Sequence, residues 1–136
     1  HNEQSVRVVD LIEKDGAGLN LTFEVRDGIL NHNGNSAATL EGRCVHLADR
    51  IAYINHDLND AIRAGVLKAE DVPKDIVGVL GSTSRERINT AVTSVWKTSS
   101  DKPYVQMDES VKAASDALRT FMFDRVYRTP YAMGEE

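Results

Sequence analysis

The chain has 136 residues, a formal net charge of −5, and 41% hydrophobic and 27% charged residues, the balance of a globular chain long enough for one domain with a core of its own. The negative charge argues against a protein whose main work is coating nucleic acid, although a local arginine cluster or a bound cation can still seat an anionic small ligand. No run approaches the ~20 apolar residues of a membrane span, the polar start His1-Asn2-Glu3-Gln4-Ser5 does not read as a signal peptide, and the single Cys44 closes no internal disulfide, so a cytoplasmic setting without a membrane partner is expected.

In chain order, Ser5 to Lys14 carries Val6, Val8, Val9 and Ile12 at helical spacings and is stopped by Asp15-Gly16-Ala17-Gly18. Thr22 is placed to cap a short helix bearing Val25, Ile29 and Leu30, and a polar Asn/Gly-rich loop follows at Asn31 to Ser36. The longest predicted helix runs from Thr39 to Ala64 and stops at Gly65. Its ladder of Leu40, Cys44, Leu47, Ile51, Ile54, Leu58 and Ala61 predicts one buried stripe, with Cys44 a small buried hydrophobe on it. Residues 69–80 read as a short helix interrupted by Pro73 and followed by Gly81. Ser82 or Thr83 then caps a helix to Thr98, with Ile88, Val92 and Val95 expected inward. After a polar break at Ser99 to Pro103, the segment Tyr104 to Met107 is open to an extended reading. Asp108 opens a last helix to Tyr127, with Val111, Leu118, Met122 and Val126 inward and Thr129-Pro130 as its stop. The pattern is all-α, without internal repeats.

Chemistry is best sought on the 39–64 helix. Asp49, Tyr53 and Asp57 recur at i, i+4 and i+8, roughly opposite the apolar ladder, with Arg50 beside Asp49 and His46 and Asp60 nearby. Two carboxylates flanking a phenol, next to a cation, can hold a metal or a sugar and its phosphates; the bland alternative is the wet face of an amphipathic helix. Against that alternative, Tyr53 is a large side chain to leave in water, and a helix of this length can be covered on both faces in a bundle. His56 adjoins Asp57, but neighbouring helical residues diverge by about 100°. His32 lies in a polar loop and reads as solvated. There is no cysteine pair with zinc spacing, no phosphate-cradling glycine loop and no nucleophile elbow.

Several ordered blocks go further. His1-Asn2-Glu3-Gln4-Ser5, Gly18-Leu19-Asn20-Leu21-Thr22, Ala38-Thr39-Leu40-Glu41-Gly42, Leu47-Ala48-Asp49-Arg50-Ile51-Ala52-Tyr53, His56-Asp57 and Arg63-Ala64-Gly65 together resemble bacterial deoxyguanosinetriphosphate triphosphohydrolase-like proteins of the HD superfamily. The tail Leu118 to Tyr127 is similar to the same family. The resemblance is dense over residues 1–66 and thinner beyond.

The resemblance implies an HD-type helical bundle lacking its N-terminal helices, with residues 1–66 the C-terminal part of the catalytic domain and 67–136 a helical region packed on it. It implies that Asp49 is a metal ligand, that Arg50 contacts the triphosphate, that Tyr53 and Asp57 frame the deoxyribose, and that His1 stands near the phosphates as a proton donor. The cofactor implied is a divalent metal (Mn, Mg, Fe or Zn). The partners implied are a deoxynucleoside triphosphate substrate and further copies of the chain in a homo-oligomer. The family's other metal ligands, a histidine and a His-Asp pair, precede the block that opens here at His1, and His56-Asp57 lies on the wrong side of Asp49 to be that pair. The chain opens on His1 rather than Met, so it is expected to be a C-terminal portion that neither holds the metal nor turns over substrate alone; a processed terminus is the plainer alternative. Two other functions stay open: an all-helical assembly or regulatory module without catalysis, and a hydrolase of the same superfamily acting on a different nucleotide.

Overall fold

The computed structural model describes residues 1–128. Among them every regular element is helical: α1 (Asn2–Arg7), α2 (Phe23–Leu30), α3 (Leu40–Arg63), α4 (Lys74–Leu80), α5 (Ser84–Ser99) and α6 (Glu109–Met122), with π-helical turns at Val8–Ile12 and Phe123–Tyr127 and a 3-10 turn at Ala69–Asp71. The all-α expectation is met, and Tyr104 to Met107 forms no strand. Thr129 and Pro130, expected to end the last helix, lie outside the described residues. No described helix is long and apolar enough to cross a membrane. The described residues form two compact units, His1–Arg50 with Pro103–Val105, and Ile51–Lys102 with residues 106–128.

In the first unit the helix expected from Ser5 begins earlier, at Asn2, and widens into the π turn, where the Glu13 amide donates to the Val8 carbonyl at 3.0 Å. The helix ends where Glu13 turns extended, at φ −56° and ψ 153°, and Lys14 and Asp15 follow in left-handed backbone, with φ of 52° and 55°. Gly18, at φ 71°, presses so closely on the Asp10 carbonyl that no side chain fits there. Asp10 receives a forked pair of bonds from Arg26, Nε at 2.8 Å and Nη2 at 2.6 Å, tying the π turn to α2. Thr22 caps α2 as expected, its hydroxyl accepting from the Val25 amide. The helices α2 and α3 meet backbone to backbone: a Cβ on Gly42 would lie 3.4 Å from Gly28 Cα and 2.5 Å from Ala37 Cβ.

That glycine contact explains a correction to the predicted ladder. Leu40 is 39% exposed and Cys44 is exposed, not buried. The N-terminal end of α3 packs through Gly42 instead of through the apolar stripe, so the stripe there keeps its side chains in solvent.

In the second unit the ladder is buried as expected. Ile51, Ile54, Leu58 and Ala61 of α3 join Leu67, Val72, Ile76 and Leu80 and the α6 stripe of Val111, Ala114, Leu118 and Met122, with Leu58, Leu118 and Met122 fully enclosed. Each such Leu or Met contributes ~1.5–3 kcal/mol relative to exposure. Pro73 immediately precedes α4 instead of interrupting a longer helix. Thr83 and Glu86 form a reciprocal capping box on α5, and Asp108 caps α6 through the Ser110 and Val111 amides.

The α5 core face differs from the predicted one. Val92 is 53% exposed, Ile88 and Val95 are half-buried, and the buried positions are Arg87, Ala91 and Ser94. Two polar residues can occupy that face because both are bonded. Arg87 donates to Asn55 Oδ1 (2.8 Å), Ser82 O (2.9 Å) and Asn59 Oδ1 (3.4 Å), and the Ser94 hydroxyl donates to Asp108 Oδ2 (2.5 Å). Burial pushes the Arg87 guanidinium below its ordinary range.

Candidate functional site

The candidate residues of α3 divide between the two units. Asp49 and Arg50 belong to the first, with His1; Tyr53 and Asp57 belong to the second. All four α3 residues are half-buried, so none sits on a fully wet helix face.

In the first unit, Asp49 lines a cavity of about 630 Å³ formed by α1, α2 and α3. Its floor is apolar, built from Val25, Ile29 and Val45 around the Gly28–Gly42 contact, and the polar side chains on it include Ser5, His32 and Thr39. Glu24 and Glu41 add two carboxylates to that of Asp49, and no Lys or Arg is among the lining residues. Such a groove suits an apolar or cationic group. A triphosphate would meet like charge there unless a cation stood between them.

His32 is half-buried, contrary to its solvated reading, and its Nδ1 lies 2.6 Å from the Ile29 carbonyl. His46 makes a similar contact, 3.2 Å from the Asn31 carbonyl. Among the described residues no three His, Cys, Asp or Glu side chains converge in a way that would hold a metal ion. The donor set present therefore does not by itself fit a divalent metal, which needs three or more protein ligands for a stable hydrolytic site. Asp49 offers one carboxylate toward such a site and nothing more.

His1 is exposed and stands at the start of α1, where its carbonyl accepts from the Ser5 amide at 3.0 Å and from the Ser5 hydroxyl at 3.3 Å. The first block of the sequence is anchored through Asn2, whose Nδ2 donates to the carbonyls of Leu30 and Asn33, both at 2.7 Å. Asn2 thus fastens the start of α1 to the end of α2. In the sequence Asn2 stands out only as one member of the opening block His1-Asn2-Glu3-Gln4-Ser5.

In the second unit, Asp57 is engaged by a residue that helical spacing on α3 does not suggest. The Tyr127 hydroxyl donates to Asp57 Oδ2 across 70 residues of sequence. Burial, then the bond to Asp57, push the Tyr127 phenol above its ordinary value of 10, and Tyr53 and Arg119 are near enough to act on it, in opposite senses. Tyr127 is therefore a neutral donor throughout the physiological range. A phenol donating to a carboxylate, with a second phenol in its field, is an arrangement suited to a hydroxyl-bearing ligand rather than to a polyanion.

Known proteins align with nearly the whole of this chain. A deoxyguanosinetriphosphate triphosphohydrolase-like protein of Caldanaerobacter subterraneus is 53% identical over 128 residues, covering 93% of this chain and 38% of the relative. One from Clostridium perfringens is 49% identical over 145 aligned positions, covering 99% of this chain and 42% of the relative. A more distant one from Bordetella pertussis is 30% identical, covering 94% of the chain and 47% of its own length. The chain thus spans about two-fifths of the length of the first two of these relatives. No protein-family model matches it.

Proposed function

Because the chain belongs to the deoxyguanosinetriphosphate triphosphohydrolase-like family, we propose that it is the C-terminal portion of a metal-dependent phosphohydrolase that converts a dGTP-like deoxynucleoside triphosphate to a deoxynucleoside and triphosphate. The observation that carries this reading is the 53% identity over 93% of the chain, a span that takes in the whole of α3.

In this reading Asp49 supplies one ligand of a divalent metal site, and the remaining ligands come from outside residues 1–136. A divalent metal held there, with Asp49 as one of its ligands, would supply Lewis-acid polarisation of a phosphate oxygen and a water of lowered pKa. Arg50 offsets negative charge on the phosphates, and His1 protonates the departing 5′-oxygen as its bond to phosphorus breaks. Tyr53 and Asp57 take the deoxyribose, Asp57 accepting from the 3′-hydroxyl. The acidic, cation-free lining of the groove beside Asp49 supports a role for a bound cation between this wall and any phosphate. Assembly into a homo-oligomer and a cytoplasmic setting belong to the same proposal; exposed Trp96 and Val92 on α5 offer an apolar face for the first, and the unpaired Cys44 suits the second.

The test is triphosphate release from dGTP, with manganese or magnesium, by the protein encoded by the full reading frame that contains this sequence. Turnover is expected with deoxynucleotides, to fall at least tenfold in Asp57→Asn and Tyr53→Phe, and to be absent from the 136-residue chain alone. No release from any deoxynucleoside triphosphate by the longer protein would sink the proposal.

A further inference from the structure

The buried stripe of α6 runs Val111, Ala114, Leu118, Met122. Carried on as α-helix, it would bring positions 125 and 126 to the same face and swing position 127 about 140° away. The chain does otherwise: Phe123–Tyr127 is a π turn, with one extra residue in the loop. Tyr127, five residues after Met122, comes round toward the core side and is half-buried, as is Val126, expected inward, whereas Arg125 is exposed. The Tyr127 ring is braced by Phe123, edge to face, with centroids 6.3 Å apart. Its hydroxyl meets Asp57 Oδ2.

π turns are uncommon and recur where a helix must re-aim a side chain at a functional position. Here the side chain aimed is a phenol and its target is a carboxylate. Holding one oxygen of a carboxylate fixes the plane of the group and leaves the second oxygen to accept from another donor.

We propose that Tyr127 is a positioning residue for sugar recognition: its hydrogen bond to Asp57 sets the carboxylate orientation in which the other oxygen accepts the 3′-hydroxyl of the substrate. This rests on the reading of Asp57 given above. Tyr127 does not itself touch the reacting phosphate. Its removal therefore loosens ground-state and transition-state binding of the sugar alike, and acts on KM more than on kcat.

The experiment compares dGTP with its 2′,3′-dideoxy analogue as substrates of the full-reading-frame protein and of its Tyr127→Phe variant. In the parent, loss of the 3′-hydroxyl is expected to cost ~10-fold or more in kcat/KM, the usual scale for a hydrogen bond to a charged group. In Y127F the KM for dGTP is expected to rise ~10-fold, with kcat within about threefold, and the preference for dGTP over the dideoxy analogue to shrink by a similar factor. A purely structural role for Tyr127 would lower both substrates together and leave the preference intact, which would overturn the inference. If the parent releases no triphosphate from dGTP, the proposed function fails first and takes this inference with it. If Y127F does not fold, 3-fluorotyrosine at position 127 keeps the ring and the hydroxyl while making it a stronger donor. The KM for dGTP should then shift with that for the dideoxy analogue unchanged, and identical behaviour toward both would refute the proposal.

Discussion

Replacing Arg87 with Met removes a cation from the interior of the second unit while keeping most of the side-chain volume. Arg87 is 4% exposed and bonds to three oxygens, those of Asn55 and Asn59 on α3 and the carbonyl of Ser82. None of these is a carboxylate; Glu86 favours the charge through space but makes no bond to it, so the bonded partners are all neutral. Two effects oppose each other. The variant escapes the desolvation of a guanidinium, the same burial that depresses its pKa. It also strands the side-chain oxygen of Asn55, itself 4% exposed, with its amide nitrogen still committed to the Ile51 carbonyl at 2.8 Å. Bonds from a charged donor contribute ~1.5–3 kcal/mol each, and an orphaned buried acceptor costs ~1–3 kcal/mol. The stranded oxygen and three lost bonds outweigh the relieved desolvation, giving a net loss of ~3 kcal/mol, of the order seen when one partner of a buried polar pair is removed. Urea unfolding followed by far-UV circular dichroism should show this as a lower midpoint with an unchanged slope, and thermal unfolding as a fall of roughly 10 °C. The double variant Arg87→Met with Asn55→Leu removes the acceptor as well and is expected to recover at least ~1 kcal/mol. If R87M matches the parent to within ~0.5 kcal/mol, or the double variant is no better than R87M, then the buried guanidinium is not what joins α5 to α3.

Further outcomes follow from the two glycines where α2 meets α3, from the turn before α5 and from the cap of α6. Gly28→Ala is expected to be tolerated or to stabilise by up to ~0.5 kcal/mol, since its Cβ would make an ordinary 3.7 Å contact and Ala favours helix. Gly42→Ala is expected to destabilise by more than ~1 kcal/mol against the same propensity gain, because its Cβ would sit 2.5 Å from that of Ala37; equal effects in thermal unfolding would show that the crossing is loose. Gly81→Ala is expected to cost ~1–3 kcal/mol by the same measurement, because φ there is 108° and the Glu86 side chain occupies the space a Cβ would take. Asp108 is held down from its ordinary 3.8 to about 2, first by the Ser94 hydroxyl and then by Ser110. Its contribution is therefore fully present above pH ~4 and lost as pH falls through about 2. Asp108→Asn should flatten the decline in stability over that acid range, and an unchanged acid profile would refute the assignment.

The helical character of the chain was readable because its apolar residues recur with helical period, and several ends were readable because their chemistry is local. Thr22 caps α2, Thr83 and Glu86 close a box on α5, and Asp108 opens α6. The faces were less readable. Period alone puts Ile88, Val92 and Val95 inside, but α5 buries Arg87 and Ser94 through partners on α3 and before α6, residues that a single-helix pattern does not include. Cys44 fails for the complementary reason: a stripe is buried only where something apolar lies opposite it, and at that end of α3 the neighbour is reached through Gly42. The Glu41-Gly42 block and Gly28 carried that signal as paired small residues on two successive predicted helices.

The spacing of Asp49, Tyr53 and Asp57 on α3 was likewise visible, and so was the plainer possibility that they face water. What separates the two readings for Asp57 is Tyr127, and no periodic pattern could supply it. An α-helical register carried on from Met122 points Tyr127 away from the core, and only the extra residue of the π turn returns it. Such turns are rare departures from α register. A chain that needed only to finish a helix could do so by continuing in α register. Here the turn is accompanied by a specific bond between a neutral phenol and a carboxylate. The same logic separates the two π turns. The one at Val8–Ile12 presents Asp10 to Arg26, an ion pair that locks α1 to α2 and needs no ligand to explain it. The one at Phe123–Tyr127 presents a hydroxyl to a carboxylate that retains accepting capacity, and an unspent acceptor on a half-buried group is where a substrate hydroxyl would gain most.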